Sequence, residues 1–258
     1  MKILSRQSLE LIILLTVNHL KVKYKRTMLG FAWSLLNPIM QVLVIAIVFS
    51  TLLHQNFELF LIKLFPALLA WIFFANCINS GANSIISNEN LIRKSPINIA
   101  IFPIVSVAVN FIEFILSLTF LIITYFFVTD DISVYILILP ILIIFYLLTV
   151  VGLVLITSVL TTKYRDFGYL VGIILQLMFY MTPVIYTKDY IYGRLTLLDF
   201  ILDYNPIVYF IEWFRNIVSL GNIMDFRSLI VGLIISFVTI CLGYVYFIKN
   251  EKELVHRL

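Results

Sequence analysis

Ser133 to Thr162 reads SVYILILPILIIFYLLTVVGLVLITSVLTT, a run of 30 residues without a charged side chain. Such a run is long enough to cross the roughly 30 Å of hydrocarbon in a bilayer. In lipid every backbone polar group must be satisfied internally, which leaves helix bundles and closed barrels. Barrel strands alternate apolar and polar residues over about ten positions. Here the apolar residues run on unbroken, so the stretch reads as a transmembrane helix.

The rest of the chain repeats the pattern. Apolar residues make up 62% of 258 and charged residues 12%, with a mean hydropathy of +1.07. A soluble domain carries roughly twice that charged fraction. Further runs extend over Phe31–Leu53, Leu64–Ser87, Ile99–Val128 (interrupted by Glu113), Phe167–Thr187 and Ser228–Ile248. The expected fold is an all-α integral membrane protein with six transmembrane helices.

An even number of spans places both termini on one side. That side carries Lys2, Arg6, Lys21, Lys23, Lys25 and Arg26, the loop pairs Arg93–Lys94 and Lys163/Arg165, and Lys249, Lys252 and Arg257. These are thirteen of the 18 basic residues; Lys63, Lys188, Arg194, Arg215 and Arg227 fall opposite. The positive-inside rule puts both termini in the cytoplasm. The net charge of +4 sits beside the spans and is no nucleic-acid footprint. Cys77 and Cys241 lie in apolar runs and suggest neither a disulfide framework nor a metal cluster. Glu10 interrupts the first apolar stretch and no small-residue cleavage site follows, which argues against a cleaved signal.

Two segments are neither span nor simple loop. Residues 5–26 open on Ser5, a candidate N-cap, and end in a basic cluster, as expected of an amphipathic helix in the cytoplasmic interface. The plainer reading of that cluster is a topology signal for the first span. Residues 188–227 are too polar to span and too apolar for a solvated loop, and Asn205-Pro206 divides them into two short helical pieces. A re-entrant helical pair on the outer side fits, since such backbone survives at membrane depth only when buried in protein. Two amphipathic helices lying on the surface are the alternative.

Catalytic signatures are missing. None of the nine glycines precedes a lysine, so there is no phosphate-binding loop. HExxH and GxSxG do not occur, and His19, His54 and His256 are scattered. Glu113 is the only ionisable residue in the expected spans and lies one turn from Asn110. An ion relay is one reading of this pair; a buried polar node holding helices together is the reading that the cost of an unpaired charge in lipid favours. Gly168 and Gly172 form a GxxxG, expected to mediate close helix packing.

Five ordered blocks carry a family resemblance over nearly the whole chain. They are Tyr24 with Leu29-Gly30, Trp33 and Asn37-Pro38; Asn90-Leu91-Ile92-Arg93-Lys94-Ser95-Pro96 with Pro103; Asn110 to Phe114; Tyr164-Arg165-Asp166 with Gln176 and Thr182-Pro183-Val184-Ile185-Tyr186; and Tyr204-Asn205-Pro206 with Trp213-Phe214-Arg215. Together they resemble the membrane permeases of polysaccharide-exporting ATP-binding-cassette (ABC) transporters, of the O-antigen and teichoic-acid types. Lys23 stands where many members have arginine, and Lys94-Ser95-Pro96-Ile97 lies nearer the O-antigen type.

The resemblance implies one permease domain over 1–258: interfacial helix 1–28, spans one to five in 31–187, outer segment 188–227, span six 228–248 and cytoplasmic tail 249–258. It implies a homodimer in the bacterial inner membrane, docked on two copies of a cytoplasmic ATPase. That partner uses ATP and Mg, and this chain binds no cofactor. The cargo would be polysaccharide on an undecaprenyl-diphosphate carrier, attracted by Lys21, Lys23, Lys25 and Arg26. Asn90, Arg93, Lys94 and Pro96, with Lys163, Arg165 and Asp166, would couple to the ATPase; positive-inside bias alone is the plainer account of these basic loops. Trp33, Trp71, Phe73, Phe74, Phe179, Tyr180 and Tyr186 are candidates to line a tunnel for sugar rings, against an ordinary interfacial aromatic belt. A gradient-driven carrier or channel, or a membrane-embedded lipid-linked glycan transferase, are the alternative functions.

Overall fold

The computed structural model describes residues 6–25, 27–94, 97–128, 134–191, 193, 196–220 and 225–257, and these contain no strand. In chain order the helices are α1 (Arg6–Tyr24), α2 (Trp33–Leu52), α3 (Phe57–Ser87), α4 (Glu89–Lys94), α5 (Ile101–Val128), α6 (Leu139–Lys163), α7 (Phe167–Met181), α8 (Lys188–Ile191), α9 (Thr196–Tyr204), α10 (Pro206–Arg215) and α11 (Phe226–Arg257). By length and composition α2, α3, α5, α6 and α11 can each cross a membrane. Ser5, the expected cap of α1, lies outside the described residues.

The expected fifth span is shorter than its apolar run. α7 has 15 residues and stops at Met181, because Thr182 is extended at φ −104°, ψ 137°. Pro183 follows, and its ring disfavours helical backbone in the residue before it. At about 1.5 Å per residue α7 is roughly 22 Å long. α3 starts seven residues before its apolar run, where the Asn56 side chain accepts hydrogen bonds from the Glu58 and Leu59 amides at 2.9 and 3.3 Å. α11 does not end with its apolar run at Ile248 but continues to Arg257, so most of the expected tail is helix.

Two spanning helices contain an internal proline, and each proline frees the carbonyl four residues earlier. Pro38 in α2 frees that of Ser34, and the Ser117 hydroxyl of α5 donates to it at 3.4 Å. Pro66 in α3 frees that of Ile62, and Ser219 donates to it at 2.8 Å. The neighbouring Lys63 carbonyl takes Nε of Arg215 at 3.3 Å. Groups released at membrane depth therefore find donors on packed neighbours, as a waterless interior requires.

After α7 the two short helices differ: α9 leaves Phe200 and Tyr204 exposed, whereas α10 is buried. Phe210, Trp213 and Phe214 are at most 1% exposed. Phe210 and Phe214 pack on Tyr146 of α6 at centroid distances of 5.1 and 5.4 Å, and Phe214 meets Phe114 of α5 edge-on at 5.6 Å. Trp213 lies so close to Gly232 of α11 that a methyl there would overlap the indole. Asn205 caps α10 by accepting from the Ile207 amide at 3.0 Å, and Pro206 occupies the first turn, where its missing N–H costs nothing. α10 is thus buried in protein, as a re-entrant helix must be.

α6 and α11 make the closest helix contact. A methyl at Gly152 would overlap the Thr239 carbonyl, and one at Gly243 would overlap the Gly152 carbonyl. Thr149 donates to Ser236 across the same seam at 3.1 Å. The expected Gly168/Gly172 pair behaves differently: Gly168 faces Asn83 and Thr161, whereas Gly172 has nothing within 4 Å. A second apolar cluster (Ile85, Ile99, Ala100, Leu155, Val159, Phe247 and Leu254, with Ile92 against it) ties α4, the start of α5 and the ends of α3, α6 and α11 together at one end of the bundle, called the tail end below. Gly152→Leu or Gly243→Leu is expected to destabilise the detergent-solubilised protein by about 1–3 kcal/mol or more through overpacking, read as a lower unfolding midpoint. Gly172→Ala leaves the midpoint unchanged in the same melt.

Candidate functional site

The described residues leave one long polar surface on the spanning helices. Along α3, Asn76, Asn79, Ser80, Asn83, Ser84, Ser87 and Asn88 recur at steps of three and four, so they share one helical face. Asn76, Asn79, Ser80 and Ser87 are exposed. They line a groove of about 670 Å³ with His19 and Lys23 of α1, Asn37 of α2, and Ser106 and Asn110 of α5. The groove continues between α2 and α7 past Asn37, Gln41, Trp71, Asn76 and Phe179. Beyond Phe179 the lining turns aromatic, with Phe49, Tyr180, Tyr186 and Tyr190 around a hollow of about 210 Å³. The path thus passes from carboxamides and hydroxyls near the tail end to rings at the other.

The expected tunnel aromatics separate accordingly. Trp33 and Tyr180 are exposed, and Phe179 and Tyr186 are half-buried. Trp71 is 6% exposed but its edge reaches the groove beside Phe179, at a centroid distance of 5.7 Å. Phe73 and Phe74 sit in the core at 3% exposure each. Phe73 stacks on Phe114 at 4.7 Å and meets Tyr146 at 5.6 Å, so packing among α3, α5 and α6 accounts for it.

Asn110 and Glu113 share a small cavity but take different partners. The Asn110 amide donates to the Ser80 hydroxyl at 2.9 Å and to the Ser106 carbonyl at 2.7 Å. Glu113 accepts from Lys23 at 2.6 Å and from the Tyr24 hydroxyl at 2.7 Å, tying α1 to α5. Burial, then the Glu113 carboxylate, pushes the Tyr24 phenol above its ordinary range and keeps it neutral. α1 turns Leu9, Ile13, Leu14 and Val17 outward while burying Ser8 and Thr16. Lys21 and Lys25 are exposed with no ion-pair partner among the described residues, whereas Lys23 is held by Glu113. Arg26 lies outside the described residues.

The basic loops meet at the tail end. Arg93 pairs with Glu89 at 2.7 Å within α4, and Asn90 and Lys94 are exposed beside it. Lys163 is held by Glu253 and Asn250 of α11, both at 2.6 Å, while Arg165 and Asp166 remain exposed. Pro96 lies outside the described residues.

At the opposite end Arg215 is 2% exposed. Besides the Lys63 carbonyl it donates to Glu212 at 2.8 Å, and to the Pro183 and Val184 carbonyls at 2.6 and 2.8 Å. One guanidinium thereby joins α10, α3 and the break after α7. Asn205 adds a donation to Thr182 at 2.9 Å.

Five helices long and apolar enough to cross a membrane, with the shorter apolar α7, thus carry an open polar groove lined by α1, α2, α3 and α5. The chain belongs to the ABC-2 type transporter family, which matches residues 10–219. It is similar to the O-antigen export system permease protein RfbA of Myxococcus xanthus, 26% identical over 243 residues, covering 94% of this chain and 93% of the relative. An RfbA of Klebsiella pneumoniae is 27% identical over 247 residues, covering 93% and 92%. The family blocks read from the sequence fall on the groove (Asn37 and Asn110), the exposed face of α7 (Gln176), the tail-end loops and the Arg215 clamp. The α3 ladder was missed; its signal was polar spacing within an apolar run.

Two outcomes follow. Arg215→Met strands four acceptors and Arg215→Lys cannot reach them all, so both are expected to unfold the segment between α7 and α11, read as new accessibility of a cysteine placed at Tyr186. The Tyr24 tie requires the neutral phenol. Its contribution is therefore fully present below the ordinary phenol pKa of about 10 and is lost as pH rises through the raised folded value. Rate-corrected amide exchange of α1 is expected to stay flat from about pH 7 to 9.5 and to rise above about 10, and Tyr24→Phe to raise it at every pH.

Proposed function

We propose that this chain is the transmembrane subunit of an exporter that moves a lipid-linked cell-surface polysaccharide across the bacterial inner membrane, driven by ATP hydrolysis in a separate chain. The observation that carries the reading is the open polar groove. Carboxamides facing hydrocarbon would be left unsatisfied, whereas a second copy closed over α2, α3 and α7 gives them a water-filled passage. The O-antigen export named for the relatives supplies the class of cargo.

In this reading both termini are cytoplasmic, with α7 supplying the fifth of six crossings and α11 the sixth. Two copies of an ATPase dock at the tail end, where Arg93, Lys94, Arg165 and Asp166 project. Lys21 and Lys25 face the lipid phosphates and the undecaprenyl diphosphate of the cargo. A gradient-driven carrier would need a free carboxylate in the spans, and Glu113 is already held by Lys23 and Tyr24.

Co-expression with the ATPase of a polysaccharide cluster is expected to yield a stable complex, purified through a tag on either chain. Charge reversal at Arg93 and Lys94 is expected to leave insertion intact while uncoupling ATP hydrolysis from export. Normal export from that variant removes the coupling assignment; export in cells lacking the chain removes the exporter reading.

A further inference from the structure

Away from the tail end two hollows share a wall. One is the aromatic hollow of about 210 Å³, and the other is a pocket of about 50 Å³ beside the first turns of α3. Leu53, Ile185, Tyr186 and Tyr190 line both. The chemistry on the two sides of that wall differs. Tyr186 spends its one O–H on the Tyr180 carbonyl at 2.9 Å, and Phe49 and Phe179 add only rings to the larger hollow. No carboxamide or charged group lines that hollow. A sugar there would bury hydroxyls with few partners, whereas an acyl chain asks for none. The small pocket instead adds Gln55, Lys63, Thr187 and Arg215, all able to donate hydrogen bonds.

Lys63 supplies an uncompensated charge. At this end Lys188 is paired with Asp203 at 2.7 Å, and Arg215 with Glu212 at 2.8 Å. Lys63 is exposed and has no ion-pair partner among the described residues, and no carboxylate lines its pocket. A cavity of this size holds a few water-sized groups, which is room for one phosphate rather than for two or for a sugar. Its depth fits as well. From Lys63 to Ser87 α3 rises roughly 36 Å, somewhat more than the roughly 30 Å of hydrocarbon. With Ser87 beside the charged α4 in one headgroup layer, Lys63 lies in the other.

We propose that these joined hollows bind an anionic phospholipid of the surrounding membrane, its phosphate beside Lys63 and Gln55 and one acyl chain along Phe49, Phe179 and Tyr180. Such a site needs only membrane-embedded helices, whatever cargo the chain carries.

A phosphatidylglycerol with a diazirine on its acyl chain, photolysed with the protein in phosphatidylcholine nanodiscs, reports the site by peptide mass spectrometry. Adducts are expected on Phe49, Phe179 or Tyr180. Unlabelled phosphatidylglycerol is expected to suppress them about fivefold more effectively than phosphatidylcholine of the same chains, the order of one lysine against an anionic lipid. Lys63→Gln keeps the backbone carbonyl that Arg215 uses, and is expected to bring the two competitors level at these positions alone. Lys63→Arg is expected to retain the preference. Absence of adducts in the hollow from the unaltered chain, or a preference that survives Lys63→Gln, overturns the site. Suppression by inorganic phosphate or by glycerophosphoglycerol, the head without its chains, shows a free-anion pocket and overturns the lipid assignment. Undecaprenyl phosphate outcompeting phosphatidylglycerol gives the site to a carrier lipid and overturns it equally. None of these outcomes touches the exporter reading, which co-expression with an ATPase decides.

Discussion

A proline inside a membrane helix releases a carbonyl where no water can reach it, and how these carbonyls are satisfied organises this fold. Ser117 answers the one freed by Pro38, which fixes α5 against α2. Ser219 and Arg215 answer those around Pro66, which draws the residues after α10 onto α3. Arg215 then holds the Pro183 and Val184 carbonyls as well, so the shortened α7 and the buried α10 are secured by the same side chain. Remove that donor set and the outer third of the molecule has unpaired backbone in a low-dielectric interior.

With the Arg215 end fixed this way, α2, α3 and α7 are left with a face that no other described part of the chain covers. The chemistry of that face changes along its length. Amides and hydroxyls line it near the tail end, Trp71 and Phe179 mark the middle, and tyrosines close it. Several ladder side chains already donate to carbonyls of their own helix, which leaves each with fewer bonds to offer a passing chain. Weak contacts distributed along a path suit passage better than retention.

Much of this was legible in the residues. Long uncharged runs gave the helices because a bilayer leaves few alternatives, and Asn205-Pro206 announced the break between α9 and α10. Pro183 was equally visible, yet the apolar run past it extended the fifth span to Thr187 where backbone geometry ends α7 at Met181. The Glu113 tie was not legible, since Lys23 lies 90 positions away and nothing local links them. The α3 ladder was hidden by its surroundings: seven polar residues in a strongly apolar helix lower its hydropathy little, and only their three-and-four spacing reveals a face. Phe73 and Phe74 looked like lining because composition cannot tell an inward ring from an outward one. Gly152 and Gly243 each lack a glycine partner at GxxxG spacing on their own helix, so only the fold shows that they meet.

Their meeting has a mechanical meaning. α6 and α11 are joined backbone to backbone near Gly152 and again, about 16 Å along the helix by its rise, at the Lys163–Glu253 pair. Two members fastened at two separated points neither slide nor swivel against each other. α6 and α11 are therefore braced against each other from Gly152 to the tail end. Tyr146, on which α10 is seated, lies on the same helix, so α6 links the tail end to the α10 end of the fold.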